Sequence, residues 1–489
     1  MKTNVLCSNF LHDEFLTRVS LRLQSFANVS HAAYSDLLAK TSLADDVLIN
    51  FSSMDNPRNC VIPDLVSEDF RLSDDEAEIQ NNHLGQFLLI IDRVTLGKSH
   101  NFDCLGYYLT ISAYFRKVLR NENIELIIFD STPHMPVDLA LVVAAEQLGI
   151  KILFPSRTHI PNMLLFRDSL SRNFEYHNFH KDPEGTLVIN EDSPQLKKSK
   201  SIDYARSAYT LTKKSYLHQL VMAGINLGTR QDLSEVRRVI RMNYFRDHYF
   251  RLNRIQALIE IFCLRRKQGK EMAYLRSIEE PISTVKSKYV YFPLHYQPER
   301  STMPESPVFA DQISAVHVLR SILPMEYLIL IREHPRQAQL KSINLRVKRY
   351  RSIQFYRSLH RIPGVVFVSP SIDASELLAK ASLVASSTGS AMWEALRLGI
   401  PCLSFAKNWH SKFEFSPYVL ELKSPEDYMK KALGISPNTV VASLERFIPN
   451  LGQYLIWTVD SKASAKLSDV PEEVLERNFV CAIREYLAS

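Results

Sequence analysis

Along this chain, short unbroken apolar runs alternate with stretches whose apolar residues recur every three or four positions, the signatures of buried strands and amphipathic helices. In the first third the runs LINFSS (48–53), FLLIIDR (87–93), IELIIFD (124–130) and KILFP (151–155) read as strands. Helices are predicted from Gly106 to Arg120 and from Val137 to Gly149, where glycine supplies the stop. Strand 124–130, the loop STPHMP, the second helix and strand 151–155 make a β-loop-α-β unit, as in a doubly wound sheet. From 160 to 195, Pro161, Asp182, Pro183, Gly185 and Pro194 predict irregular chain. Residues 197–280 read as helical, with apolar positions through Val236, Ile240 and Tyr244.

A second αβ series begins at Lys286. Strands are predicted at 288–294, 326–335, 364–368, 381–387 and 400–405. Helices are predicted at Asp311–Leu323, in the residues up to His360, at Ala374–Lys380 and at Ala391–Leu398. The fold class expected is α/β, two Rossmann-like domains joined through a helical segment, with no repeat of fixed period.

Composition narrows the chemistry. Only 13 of 489 residues are glycine, and neither G-x-G-x-x-G nor G-x-x-x-x-G-K-[ST] occurs, so a phosphate must be held without a glycine-rich cradle. The six cysteines are far apart and form no C-x-x-C, which suits neither a disulfide framework nor a zinc site. The first residues, MKTNVLCSNFLHDEF, lack the apolar core of a signal peptide, and no uncharged apolar run is long enough to span a membrane. A cytoplasmic protein is expected. The net charge of +6 is uneven: residues 197–288 hold 20 Lys+Arg against 8 Asp+Glu, a net +12 that leaves −6 elsewhere. Tyr244, Phe245, Tyr249 and Phe250 interleave there with Arg241, Arg246 and Arg251. An anionic membrane surface, attracting each Lys or Arg by about 1 kcal/mol, and a solvated helical face are the two readings of 197–288. No nucleic-acid motif is present, and nucleic acid is not expected as a partner.

In open α/β sheets, ligands bind outside the carboxyl ends of the strands, and three loops of the second series stand there. The first carries His295, Gln297, Glu299 and Arg300; the guanidinium suits a phosphate, its alternative being a salt bridge to Glu299 or Glu305. The second carries Arg332, His334 and Arg336, with Pro335 fixing the backbone after the histidine. That histidine can donate to a leaving phosphate or accept a proton, or it is a turn residue satisfied locally. The third runs Ser386, Ser387, Thr388, Gly389 into a helix whose unpaired N–H groups could hold an anion; the alternative is a plain hydroxyl N-cap. Glu394, inside the first helical turns, could accept from a ribose or simply complement the helix dipole.

The strings FPLHYQPERST, REHP and ASSTGSAMWEALRLGIPCLSF together resemble glycosyltransferases of surface-polysaccharide and capsule biosynthesis with the GT-B fold. Gly389, Glu394, Gly399 and Pro401 stand at the matching positions of the last string, and the resemblance covers residues 288–405. The His-Pro pair is similar to that of bacterial Kdo- and sialyltransferases, which use CMP-activated acidic sugars. The resemblance implies that His334 and Ser387-Thr388 contact the nucleotide phosphate. It implies a nucleotide-sugar as co-substrate, no other cofactor, no metal, and a glycan or lipid-linked acceptor, with the protein cytoplasmic or peripheral at the inner face of the plasma membrane.

The acidic-acidic-Gly base motif of the sialyltransferases is absent, since neither Asp45-Asp46 nor Asp74-Asp75 precedes glycine. The base is therefore sought on the first domain at strand ends facing the cleft between domains: Asp130 and His134 as catalytic residues, with Asp138 one turn later and Asp92 after the neighbouring run. The expected organisation is an acceptor domain 1–195, a basic helical segment 196–285, a nucleotide-sugar domain 286–410 and a helical region 411–489 packing back on the first domain. The rivals are a nucleotide-sugar epimerase, a wall-polymer glycerophosphotransferase and a non-catalytic polysaccharide assembly protein.

Overall fold

The computed structural model describes residues 2–33, 48–50, 65–95, 101–170, 254–300, 302–338, 350–452, 454–468 and 470–488. Asp45-Asp46 and the basic residues 197–253, with their interleaved aromatics, lie outside the described residues. The chain forms two compact units: the described residues of one lie within 1–199 and 448–489, those of the other within 248–447.

The strands are, in chain order, β1 (Thr3–Ser8), β2 (Ala27–Ala33), β3 (Leu48–Asn50), β4 (Leu126–Phe129), β5 (Lys151–Arg157), β6 (Met163–Arg167), β7 (Tyr289–Pro293), β8 (Leu328–Arg332), β9 (Val365–Val368), β10 (Leu383–Ser386), β11 (Cys402–Ser404) and β12 (Leu455–Trp457). In the first unit the sheet order is β12-β6-β5-β4-β1-β2-β3. The pairs from β5 through β3 are parallel, whereas β6 and β12 are antiparallel additions at one edge.

β1, with Val5 to Ser8 buried, is central to this sheet, and the periodicity reading passed over it because its apolar run is only Val5-Leu6-Cys7, set between polar residues. The run 87–93 is not a strand. It lies in the helix Asp74–Thr95, where Phe87, Ile90 and Ile91 share the buried face at helical spacing. Asp92 is thus a helical residue rather than a strand end. The start signal is local: Ser73 N–H donates to Glu76 Oε2 at 2.8 Å and Glu76 N–H to Ser73 Oγ at 3.3 Å, a capping box legible as S-x-x-E. The irregular reading of 160–195 also fails at β6, which Asn162, in the left-handed region at φ 59°, turns back against β5. The final helix, Glu472–Ala488, closes the core of this unit. Its Leu475, Phe479 and Ile483 are buried among Val5, Phe10, Phe15 and Phe166.

In the second unit β11-β10-β7-β8-β9 are parallel throughout. Their near-continuous burial explains why they read as apolar runs. The core combines Val290, Phe292, Ile329, Ile331, Phe367 and Leu383 with Val316 and Leu319 of the helix Gln312–Ile322 and Met272 and Leu275 of the helix Arg254–Ile278. Both sheets follow the Rossmann order, third-second-first-fourth-fifth by sequence within the unit. The order therefore reverses between β1 and β4 in one unit and between β7 and β10 in the other. Among the described residues no helix is long and apolar enough to cross a membrane.

Candidate functional site

The reversal point of the second sheet is where the predicted residues gather. His295 follows β7, Ser386 ends β10, and the two strands are direct neighbours. Ser387 N–H donates to His295 Nε2 at 3.2 Å and Ser386 Oγ lies 3.0 Å from the same nitrogen. A nitrogen that accepts a backbone N–H carries no proton, so the buried imidazole is neutral with its hydrogen on Nδ1. Burial, then the Arg351 cation, pushes its pKa down to about 4, which agrees. His295 is held at its backbone too, N–H to Gln312 Oε1 at 2.7 Å and C=O from Arg351 Nη2 at 2.8 Å.

The helix Ser390–Arg397 begins at this place. Its N-cap is Gly389, which brings no side chain of its own to the first-turn N–H groups. The serines are occupied elsewhere. Ser387 Oγ accepts from Ser306 Oγ at 3.2 Å, and Ser387 C=O accepts from Ser404 Oγ at 3.0 Å and Asn408 Nδ2 at 3.2 Å. A Cβ at Gly389 would stand 3.2 Å from Ser386 Oγ and 3.5 Å from His295 Cε1, so the bare backbone is needed for this close approach. Thr388 and Glu394 are half-buried beside it.

His334, after β8, has Tyr296 at 5.3 Å between ring centroids. Its Nδ1 accepts the Arg336 N–H at 3.2 Å, which leaves the ring hydrogen of the neutral form on Nε2. Burial first, then His295, Arg332, Arg336 and Arg351, pushes its pKa down to about 3. Arg332 donates Nη2–H to Pro370 C=O at 3.1 Å, while its Nε is buried without an acceptor. The remaining predicted residues serve their own loop. Arg300 Nε pairs with Glu305 at 3.1 Å, the alternative weighed against a phosphate contact. Gln297 is buried, its Oε1 accepting from Thr302 at 3.2 Å, and Glu299 is exposed with its C=O accepting from Thr302.

One group at this site had no sequence signal. Glu333 is fully buried; it takes Arg351 Nε–H at 2.7 Å, Tyr356 O–H at 2.7 Å and the His334 N–H at 2.7 Å. With Arg351 also on the His295 carbonyl, this ion pair ties the two histidine loops together. Glu333 stands in plain view in REHP, but its partner is 18 residues on, in a stretch that reads only as helical.

At the reversal point of the first sheet, Asp130 and Asn9 follow β4 and β1. Asn9 adopts the left-handed conformation at φ 65° and donates Nδ2–H to Asp138 Oδ1 at 3.2 Å. Asp138 is buried in the first turn of the helix Pro136–Gln147 and accepts Met135 N–H at 3.3 Å. His134 Nδ1–H donates to Thr132 C=O at 2.9 Å, making Nε2 the basic nitrogen. Burial pushes Asp130 up to about 6 and, with repulsion from Asp130, Asp138 up to about 7.

No protein-family model matches this chain, and no curated protein does. Among solved structures it is similar to UDP-GlcNAc 2-epimerase from Neisseria meningitidis bound to UDP-GlcNAc (12% identity, 100% of both chains, TM-score 0.22). It is also similar to the UDP-forming trehalose-phosphate synthase from Burkholderia xenovorans (9% identity, 99% of both chains, TM-score 0.29) and the UDP-GlcNAc 2-epimerase from Methanocaldococcus jannaschii (12%, 92% of this chain and 99% of that one, TM-score 0.23). At such scores the α/β assignment rests on the two sheets themselves.

Proposed function

We propose that this chain is a glycosyltransferase whose second unit binds a nucleotide-activated sugar at the β7–β10 reversal. The observation that carries the reading is the helix start at Gly389. Its N-cap has no side chain to cover the first-turn N–H groups, and the cap stands beside a neutral His295 fixed by Ser386 and Ser387. Such a start favours an anion through both its donors and its dipole. The His334 imidazole and the Arg332 guanidinium, at the end of β8, are the groups assigned to a diphosphate or a CMP phosphate. Glu394 is assigned to the ribose, from its place in the first turns of the helix Ser390–Arg397.

In the reaction, the acceptor hydroxyl oxygen bonds to the anomeric carbon while the bond from that carbon to the phosphate oxygen breaks. The electron pair leaves with the phosphate, and the hydroxyl proton passes to a base on the first unit, Asp130 or His134. An anion held by preorganised donors makes a better leaving group. The His334-Pro335 resemblance favours a CMP-linked acidic sugar as donor, and a surface glycan or lipid-linked glycan as acceptor.

Isothermal titration of the full chain with CMP, UDP, GDP, dTDP and their sugar conjugates tests this. One nucleotide is expected to bind, and His334→Ala to weaken it about tenfold, the worth of one donor to a charged group. Binding of none of them by the wild type would sink the reading. Mass spectrometry of the products separates the rivals: a donor epimerised without acceptor means an epimerase, a phosphodiester product a glycerophosphotransferase.

A further inference from the structure

We propose that Asp130 and Asp138, with Asn9 reaching in from β1, form a carboxyl pair that receives a hydroxyl-bearing ligand at the reversal point of the first sheet. Asp130 is the proton acceptor, and Asn9 and Asp138 are the residues that position it. The inference deepens the glycosyltransferase reading, on which the identity of the ligand as a carbohydrate acceptor rests.

The two carboxyls arrive from the β4 side of the reversal and Asn9 from the β1 side. Asp130 ends the strand segment of β4, and Asp138 belongs to the helix that follows it. β1 runs alongside, with Ser8 paired to Phe129, and delivers Asn9 into the gap. The left-handed backbone of Asn9 turns the chain out of the sheet there; its amide donates to Asp138 and lies close enough to Asp130 to favour that carboxylate's ionised form. A side-chain amide between two carboxyls holds them close without neutralising either.

A second feature points to a ligand. Thr132 Oγ1, on the same loop and 1% exposed, has no hydrogen-bond partner. A buried hydroxyl without a partner costs about 1–3 kcal/mol and is accounted for when a ligand group completes it. A hydroxyl-rich ligand can do so while handing a proton to Asp130. This makes the site a polyol or sugar site rather than an anion site, since two carboxyls repel an anion.

The groups that face the pair set its titration. Asp138 accepts the backbone N–H groups of His134 and Met135 and sits at a helix N-terminus, all of which favour the ionised form. Ser131 donates to Asp130 at 3.3 Å, also favouring it. Against them stand burial, the mutual repulsion of the two carboxyls, and the charge of Asp460, itself held by Arg157 at 2.5 and 2.9 Å. The opposing effects win, so the pair keeps a proton to near neutral pH that the unfolded chain loses near pH 4. The sign follows. Stability contributed by the proton is complete below about pH 4 and is lost as pH rises through 6 and 7.

The test uses the full chain with the variants Asp138→Asn, Asp130→Asn and Asn9→Gly, the last keeping the left-handed backbone. Melting midpoints are read relative to wild type from pH 5 to pH 8. Either Asn variant is expected to gain about 5 °C on wild type across that range, because it has no proton to lose. Asn9→Gly is expected to fall further behind as pH rises, because the ionised pair has lost its bridge. In the rate of sugar transfer, Asn9→Gly is expected to move the acid limb of the pH profile up by about one unit. Its nucleotide affinity should stay within twofold of wild type. Both Asn variants tracking wild type at every pH would overturn the pair, and an Asn9→Gly variant with unchanged pH dependence would overturn the positioning role. If no nucleotide binds, the glycosyltransferase reading fails alone, and the melting curves still decide the pair.

Discussion

Gly389 has an ordinary φ of −70°, so its value lies in what it leaves out rather than in backbone freedom. The space its missing Cβ would fill is shared by Ser386 Oγ and His295 Cε1 at 3.2 and 3.5 Å. Those neighbours would have to give by a few tenths of an ångström, and both belong to the site. Gly389→Ala is therefore expected to fold, with a melting midpoint within about 4 °C of wild type, and to lose about tenfold in nucleotide affinity. Calorimetry of the two proteins side by side checks both halves. A loss of fold without a separable loss of binding would mean that the glycine is purely structural.

At the scale of elements, the three loops of the site follow β7, β8 and β10, and side chains tie them to one another beyond the strands' own pairing. The Glu333–Arg351 pair ties the loops after β7 and β8 to the chain before the helix Ile353–His360. Arg351→Ala leaves a buried carboxylate without its cation, and such losses cost about 3–5 kcal/mol. Denaturant unfolding of the variant should show that loss, together with a fall in nucleotide affinity larger than any single ligand contact explains. Retention of wild-type stability would remove the pair from the account.

Gly399 serves the helix rather than the ligand. It lies at φ 77° after Leu398, with Ile400 N–H on Ala395 C=O at 2.9 Å and Gly399 N–H on Leu396 C=O at 3.1 Å, a Schellman end. A Cβ there would come within 2.5 Å of Pro437 C=O. Of the glycines in the resemblance string, then, one stands at the helix start and one at its stop.

On the scale of the molecule, the last forty-odd residues belong to the first unit. β12 adds to β6, and Phe479 meets Phe10, Phe15 and Phe166 edge-on at 6.4, 6.4 and 5.1 Å. Arg157 and Asp460 join the same two stretches of chain close to Asp130. Phe479→Ala should cost about 3–5 kcal/mol in the unfolding of the first unit, read as the loss of its transition in calorimetry at temperatures where the other persists. Equal destabilisation of both transitions would contradict the division into two units.

What was legible in the sequence follows from what is local. Each strand of the second unit is a short apolar run buried on both faces, and each helix between them has its own spacing, so the αβ series and the strand-end residues His295, His334 and Ser386–Gly389 could be read directly. The same locality misled at 87–93, where an apolar run inside a helix looks like a strand, and hid β1, whose apolar run of three residues sits between polar ones. Tertiary structure alone decided the order of the strands, and with it the two reversal points. It set His295 against Ser386 across 91 residues, Arg351 against Glu333, and Asn9 between Asp130 and Asp138. Periodicity reports which face of an element is buried; it carries no information about which distant element will cover that face. The chemistry of both sites depends on that second choice.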